Sequence, residues 1–100
     1  MPAYSILAVT PSNDEWIPDY LPKANALVKK HGGSYLARTA EHEQIEGKDT
    51  PAALRIIIAW PSRQAALDFE NDPDYKPHLD ARLNGSESYH YLVEAKDDLA

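Results

Sequence analysis

The chain has 100 residues, of which 43% are hydrophobic and 26% charged, with a formal net charge of −6 and no cysteine. These values predict one folded domain over residues 1–100, and they argue against disorder, disulfides, thiolate metal sites and a nucleic-acid partner. No long apolar run or basic leader is visible, so we expect no membrane partner and a cytoplasmic location.

The first two elements are a strand and a helix. Residues Tyr4–Thr10 read YSILAVT and predict a strand that ends at Pro11. Apolar residues then recur at helical spacing, which predicts a helix that runs to about His31 and stops at the pair Gly32-Gly33. Pro22 lies inside this helix and should kink or split it, because proline removes a backbone hydrogen bond.

Two further strands are predicted in the middle of the chain. Ser34–Thr39 reads SYLART, and His42–Glu46 is expected to continue that strand after an irregularity. Leu54–Trp60 reads LRIIIAW and, apart from Arg55, is apolar without alternation. Such a run is typical of a strand that is covered on both faces.

The C-terminal part predicts two short helices and a strand. Ser62 can cap a helix that reaches about Asn71. A second helical piece begins at Asp72-Pro73 and ends at Asn84-Gly85. Ser88–Ala95 predicts the last strand, and residues 96–100 a frayed polar tail.

The order β-α-β-β-α-β predicts an α+β, ferredoxin-like fold with a four-stranded antiparallel sheet and helices on one face. Because the third strand is apolar on both sides, the other sheet face also needs a cover. The simplest cover is a second copy of the chain, so we expect a homodimer that forms through the sheet face.

Several short runs in a fixed order resemble a known bacterial family. They are Pro2-Ala3-Tyr4, the run from His31 to Arg38, Ile45-Glu46-Gly47, the run from Trp60 to Ala66, Asp72-Pro73-Asp74-Tyr75, and Arg82. Over nearly its whole length the chain is similar to the family called domain of unknown function 1330, in the dimeric α+β barrel superfamily. It departs from the family pattern at Trp60, usually phenylalanine, at Asp72, usually serine, and near Ala40-Glu41, where a glycine is usual.

The resemblance implies a dimeric α+β barrel, with a pocket between the sheet and its helices. The superfamily contains cofactor-free monooxygenases, isomerases and haem enzymes, so the resemblance does not select one reaction.

Two arginines are candidate ligand-binding residues. Arg38 has the same strand parity as Ser34 and Leu36, and its planar guanidinium suits a carboxylate of a ligand or an internal ion pair with Glu46. Arg82 follows Tyr75 by two helical turns, which places both on one side of their helix. That pair either binds a ligand or pins a short helix to the body of the protein.

The remaining candidates are histidines and aromatic residues. His78 lies between Tyr75 and Arg82, and either it or Tyr75 is a weak candidate for moving a proton. His42 and His90 make only a weak metal signal, so no metal site is predicted. Trp60 and Tyr4 either line an apolar ligand pocket or belong to the core or the dimer interface.

Three functional hypotheses follow. The first is a small enzyme that uses no cofactor, of oxygenase or isomerase type, acting on a small anionic or aromatic metabolite. The second is a dimeric module that binds a small molecule without turning it over, and the third is a haem- or metal-binding barrel protein.

Overall fold

The computed structural model describes all 100 residues. In chain order its elements are β1 Ala3–Pro11, α1 Ile17–Lys30, β2 Ser34–Thr39, β3 Leu54–Trp60, α2 Arg63–Glu70, α3 Lys76–Gly85 and β4 Ser86–Glu94. The four strands form one antiparallel sheet in the order β2-β3-β1-β4. The predicted ferredoxin-like fold is therefore confirmed, with the second helical region divided into α2 and α3.

The structure differs from the sequence predictions in local details of α1, β2 and β4. Pro22 lies inside α1 without splitting it, and the segment His42–Glu46 is irregular, so the predicted continuation of β2 is wrong. β4 begins two residues earlier than predicted, directly after α3. Ser62 caps α2 as predicted, because its hydroxyl oxygen accepts a hydrogen bond from the Ala65 N–H at 3.0 Å.

Strand alternation divides β1 into two sets of side chains. Ala3, Ser5, Leu7 and Val9 are buried, and Ser5 accepts a 2.7 Å hydrogen bond from the indole N–H of Trp60. Together with α1, α2 and β3 these residues form the single core of the domain. The core therefore lies entirely on one side of the sheet, which we call the helix-facing side.

The other side of the sheet, here called the open face, consists of Ile6, Ile57, Tyr89, Tyr91 and Val93 on three adjacent strands. Tyr89 is 54% exposed and Tyr91 is 68% exposed. No helix or loop covers the whole of this apolar surface. A contiguous exposed apolar face of this kind is typical of a protein interface.

An acidic side chain joins the end of α1 to the turn between α2 and α3. Asp72 is 7% exposed, and its carboxylate accepts hydrogen bonds from the His31 ring at 2.8 Å and the Lys30 ammonium at 3.0 Å. The Asp74 N–H donates a further hydrogen bond to it at 2.9 Å. These three donors, with His31 contributing most, hold the pKa of Asp72 well below its usual range.

Candidate functional site

A cavity lies between the helices and the helix-facing side of the sheet. It measures about 70 Å³ and is partly open to solvent. Most of its lining is apolar, including Leu7, Ile56, Ile58 and Phe69. A small number of polar side chains within an apolar wall is the usual composition of a small-molecule site.

Arg82 is the charged group most deeply buried at this cavity. It is 3% exposed, and it forms no ion pair within 4.0 Å. Its Nε and Nη1 atoms have no hydrogen-bond partner. Buried charges are normally paired, and these unpartnered N–H groups are of the kind that an anion can accept hydrogen bonds from.

Two tyrosines lie next to Arg82. The hydroxyls of Tyr20 on α1 and Tyr75 at the start of α3 are 2.6 Å apart and share a hydrogen bond. Burial, followed by the neighbouring Tyr20, raises the pKa of the Tyr75 hydroxyl well above its usual range. Tyr75 therefore remains protonated at neutral pH and can donate a hydrogen bond, but it is a poor base.

Burial lowers the pKa of the Arg82 guanidinium, but the nearby Tyr20, Tyr75 and Glu70 outweigh this effect and raise it. Arg82 is therefore a permanent cation. The cavity thus combines the buried Arg82 cation with the protonated hydroxyl of Tyr75, an arrangement that suits a carboxylate or an enolate oxygen.

A carboxylate and an imidazole form a second polar pair at the cavity. Glu70 at the end of α2 and His90 on β4 both line it, and Glu70 Oε1 lies 3.2 Å from His90 Nδ1. The other ring nitrogen, Nε2, is buried and has no hydrogen-bond partner. Neither residue was singled out as a candidate for catalysis or ligand binding in the sequence. The sequence does contain a signal for His90. It lies two residues from Leu92 on the same strand, so both side chains are on the same side of the sheet, and Leu92 faces the core.

Arg38 reaches the cavity through an irregularity in its strand. Tyr35 pairs with Ile58 and Arg38 with Ile56, so an extra residue between them shifts the register of β2. This β-bulge reverses the side on which Arg38 lies relative to simple alternation. Arg38 therefore shares the cavity lining with Tyr35, and its guanidinium lies 3.9 Å above that ring.

The partner of Arg38 differs from the one considered in the sequence. Its Nη1 donates a 2.6 Å hydrogen bond to Asn25 Oδ1 on α1. Glu46 is exposed in the segment between β2 and β3, and no ion pair joins it to Arg38. Arg38 itself is exposed, so it borders the cavity mouth while Arg82 lies inside.

The other candidate residues lie elsewhere. Trp60 is a core residue that packs against Phe69 with ring centroids 5.2 Å apart, and it does not line the cavity. Tyr4 lies on the opposite side of the sheet, since it falls between the helix-facing Ala3 and Ser5. His78 on α3 is half-buried outside the cavity lining. The structure thus places Tyr75, Arg82 and Arg38 together at the cavity, whereas Trp60, Tyr4 and His78 lie outside its lining.

Two other kinds of site, a metal centre and a surface groove, can be compared with the cavity. No group of three or more histidine, aspartate or glutamate side chains is arranged to hold a metal ion. A groove of about 790 Å³ crosses the open face beside Thr50, Pro51 and Arg55. It contains none of the buried unpartnered polar atoms, all of which belong to Arg82 and His90.

None of the helices has the length and hydrophobicity needed to cross a membrane.

Comparison with known proteins identifies the family. The model of the family described as domain of unknown function (DUF1330) matches residues 2–96. The chain belongs to this family. No curated protein matches the sequence.

Solved structures with the same fold support this assignment of the architecture. RPA0582, a protein of unknown function from Rhodopseudomonas palustris, superposes with a TM-score of 0.78 at 16% identity, over 96% of this DUF1330 chain and 83% of the other. SnoaB, a cofactor-independent oxygenase from Streptomyces nogalater, gives a TM-score of 0.65 at 18% identity, over 98% and 96% of the two chains. At these identities the similarity shows a shared fold and no more.

A third structure is a dimeric ferredoxin-like protein of unknown function from Thermobifida fusca. It has a TM-score of 0.51 at 11% identity, over 93% of this chain and 90% of the other. Dimerisation is a stated property of that protein.

Proposed function

We propose that this DUF1330 protein binds a small anionic metabolite with an apolar, aromatic body and transforms it without a cofactor, as an oxygenase or an isomerase. The observation that carries the binding part is the buried guanidinium of Arg82, which has two unpartnered nitrogen atoms and no ion pair. A ligand carboxylate or enolate would supply the missing charge and accept these hydrogen bonds.

The rest of the cavity supports an aromatic ligand body. Five of its lining side chains are aromatic, namely Trp16, Tyr20, Tyr35, Phe69 and Tyr75. Aromatic rings favour offset or edge contacts with another ring, beyond the area that they bury. The enclosed volume of about 70 Å³ is smaller than a substituted benzene ring, so such a ligand would also occupy the open side of the cavity, which Arg38 borders.

Catalysis is supported by the similarity to a cofactor-independent oxygenase, which shares the fold. It is also consistent with a site that holds both a cation and neutral hydroxyl groups around a shielded volume, since such groups stabilise developing negative charge. A binding module without turnover is the alternative, and it requires the same anion site.

Calorimetric titration with benzoate, phenylacetate and phenylpyruvate, each compared with its neutral amide, tests the binding site. We expect the acids to bind and the amides to bind weakly. Arg82→Met should weaken acid binding by about 10- to 100-fold, since hydrogen bonds to charged groups contribute about 1.5–3 kcal/mol. Arg63→Met is the matched control, because Arg63 is exposed on α2 away from the cavity.

Equal binding by Arg82→Met and the parent protein would refute the anion site. Turnover is a separate question, which incubation of each bound acid under ¹⁸O₂ decides by mass spectrometry. Isotope incorporation supports an oxygenase, and an isomeric product supports an isomerase. A ligand recovered unchanged, together with Arg82-dependent binding, favours the binding module.

We also propose that the open face forms the interface of a homodimer. The supporting observations are the exposed apolar side chains on adjacent strands and the dimeric protein of the same fold. Tyr91→Glu would place a charge in the centre of this interface, so we expect it to yield a monomer in light scattering at micromolar concentration. Ala26→Glu adds the same charge on the exposed side of α1 and should leave the dimer intact. A parent protein with a monomeric mass would contradict the proposal.

A further inference from the structure

Glu70 and His90 form a pair that the proposed anion site does not use. They are held by different elements, α2 and β4, and both line the cavity, with 3.2 Å between Glu70 Oε1 and His90 Nδ1. Both side chains are largely shielded, with 25% and 22% of their surfaces exposed. The second nitrogen of the ring, Nε2, is buried and unpartnered.

The contact with Glu70 selects the tautomer of the neutral imidazole. A carboxylate offers only acceptor atoms, so the 3.2 Å contact with Glu70 favours the tautomer that has its proton on Nδ1. Nε2 then has a free lone pair and no protein donor to occupy it. This is the arrangement of a general base whose ring is oriented by a carboxylate.

The base shares its cavity with a fixed cation. Arg82 and Tyr75 on α3, Tyr20 on α1, and Tyr35 and Arg38 on β2 are the other charged or titratable groups of the lining. A ligand whose acid group is held by Arg82 can therefore present another of its atoms to His90. The useful ligand is one that has an acidic proton close to its anionic group.

We propose that His90 is the general base of this cavity, oriented by Glu70, and that its substrate class is an aromatic 2-oxo acid. This inference rests on the proposed binding of an aromatic anion. The carboxylate would contact Arg82, the ring would lie against the aromatic wall, and the carbon next to the carbonyl would lose a proton to Nε2.

The proton transfer balances without a further reactant. The C–H bond breaks, an N–H bond forms at Nε2, and the electron pair moves onto the carbonyl oxygen to give an enolate. The imidazolium then returns the proton to the carbon or to the oxygen, which gives the keto or the enol form. In D₂O the returned atom is deuterium once the proton on Nε2 has exchanged with the solvent.

The tautomer is tested without any ligand. In ¹⁵N-labelled protein at pH 7.5, long-range ¹H–¹⁵N spectra should show His90 neutral, with a protonated Nδ1 and an unprotonated Nε2. In Glu70→Ala the proton should no longer prefer Nδ1 of His90, because the carboxylate that favours it there is absent. If Glu70 served only the fold, its removal would leave the tautomer of His90 unchanged. A parent His90 that is an imidazolium, or that carries its proton on Nε2, overturns the inference.

The chemistry is tested with phenylpyruvate in D₂O, by following loss of its methylene proton signal at saturating concentration. We expect His90→Gln to slow exchange at least 100-fold while calorimetric binding is retained, and Glu70→Ala to slow it by a smaller factor. His42→Gln, in the exposed segment between β2 and β3, is the matched control and should exchange at the parent rate.

The outcomes separate the two proposals. Parent-rate exchange in His90→Gln with intact binding overturns the base and leaves the anion site standing. If the parent protein binds benzoate but not phenylpyruvate, the substrate class is wrong. Failure of every acid to bind refutes the proposed function and, with it, the substrate class assigned to His90.

Discussion

Replacement of Arg82 by methionine should make the ligand-free protein more stable while it removes anion binding. The reason is that a buried charge without a partner is costly, whereas an apolar side chain of similar length fills the same space. Methionine keeps an unbranched stem and so retains most of the packing of the arginine methylene groups. A residue that destabilises the empty protein and is required for binding has the signature of a functional site.

The magnitude follows from the contacts of the guanidinium. Nε and Nη1 are two unpartnered buried donors, and each costs about 1 kcal/mol at the low end of the usual range. Their removal therefore contributes about 2 kcal/mol to the free energy of unfolding. Loss of the favourable interaction with the hydroxyls of Tyr20 and Tyr75 lowers the free energy of unfolding by about 1 kcal/mol. The net expectation is a gain of about 1 kcal/mol, or about 4–8 °C in melting temperature for a domain of this size.

The assay is urea denaturation of the two proteins at one fixed concentration, because stability depends on concentration if the protein is a dimer. Arg63→Met, an exposed arginine without an ion pair, should change the free energy of unfolding by less than about 0.5 kcal/mol. A loss of about 2 kcal/mol or more in Arg82→Met would show that the guanidinium stabilises the fold, and it would refute the proposed anion site.

Three further predictions concern the scaffold. Gly85→Ala would place its Cβ in steric overlap with the indole ring of Trp16, so overpacking should lower the free energy of unfolding by about 1–3 kcal/mol in urea, and an unchanged midpoint would count against this contact. Trp60→Phe removes the donor to the buried Ser5 hydroxyl and should cost about 1–3 kcal/mol, but less when combined with Ser5→Ala; an equal cost in both backgrounds would exclude the hydrogen bond as the cause. Because the folded pKa of Asp72 lies below its unfolded value of about 3.9, its contribution is complete above about pH 5 and is lost as pH falls. The stability of Asp72→Asn should therefore fall less steeply in acid, and parallel curves would contradict the assignment.

The architecture was predictable because each element has a strong local signal. β1 and β3 are β-rich runs, α1 has a regular apolar stripe, and Ser62 marks the start of α2. The failures are also local. Pro22 was expected to kink or split α1, but the helix continues through it because tertiary packing of Ala24, Leu27 and Val28 holds the helix together.

The site was predictable only in part. Tyr75 and Arg82 share a helix, so helical spacing was enough to place them together. Arg38 was identified as a candidate, but simple strand alternation placed it on the same side as Leu36. The bulge that reverses this placement cannot be read from an alternating pattern. The pair of Glu70 and His90 depends on contact between α2 and β4, which no local pattern encodes.

The bulge in β2 gives this fold a route to change its chemistry that needs no change of residue type. If Leu36 paired with Ile57 instead of forming the bulge, simple alternation would be restored and Arg38 would move from the cavity mouth to the open face. The same guanidinium would then lie at the proposed interface between subunits instead of beside the ligand. In proteins built on this sheet, a one-residue shift of register in an edge strand can therefore move a residue that contacts the ligand into the interface between subunits.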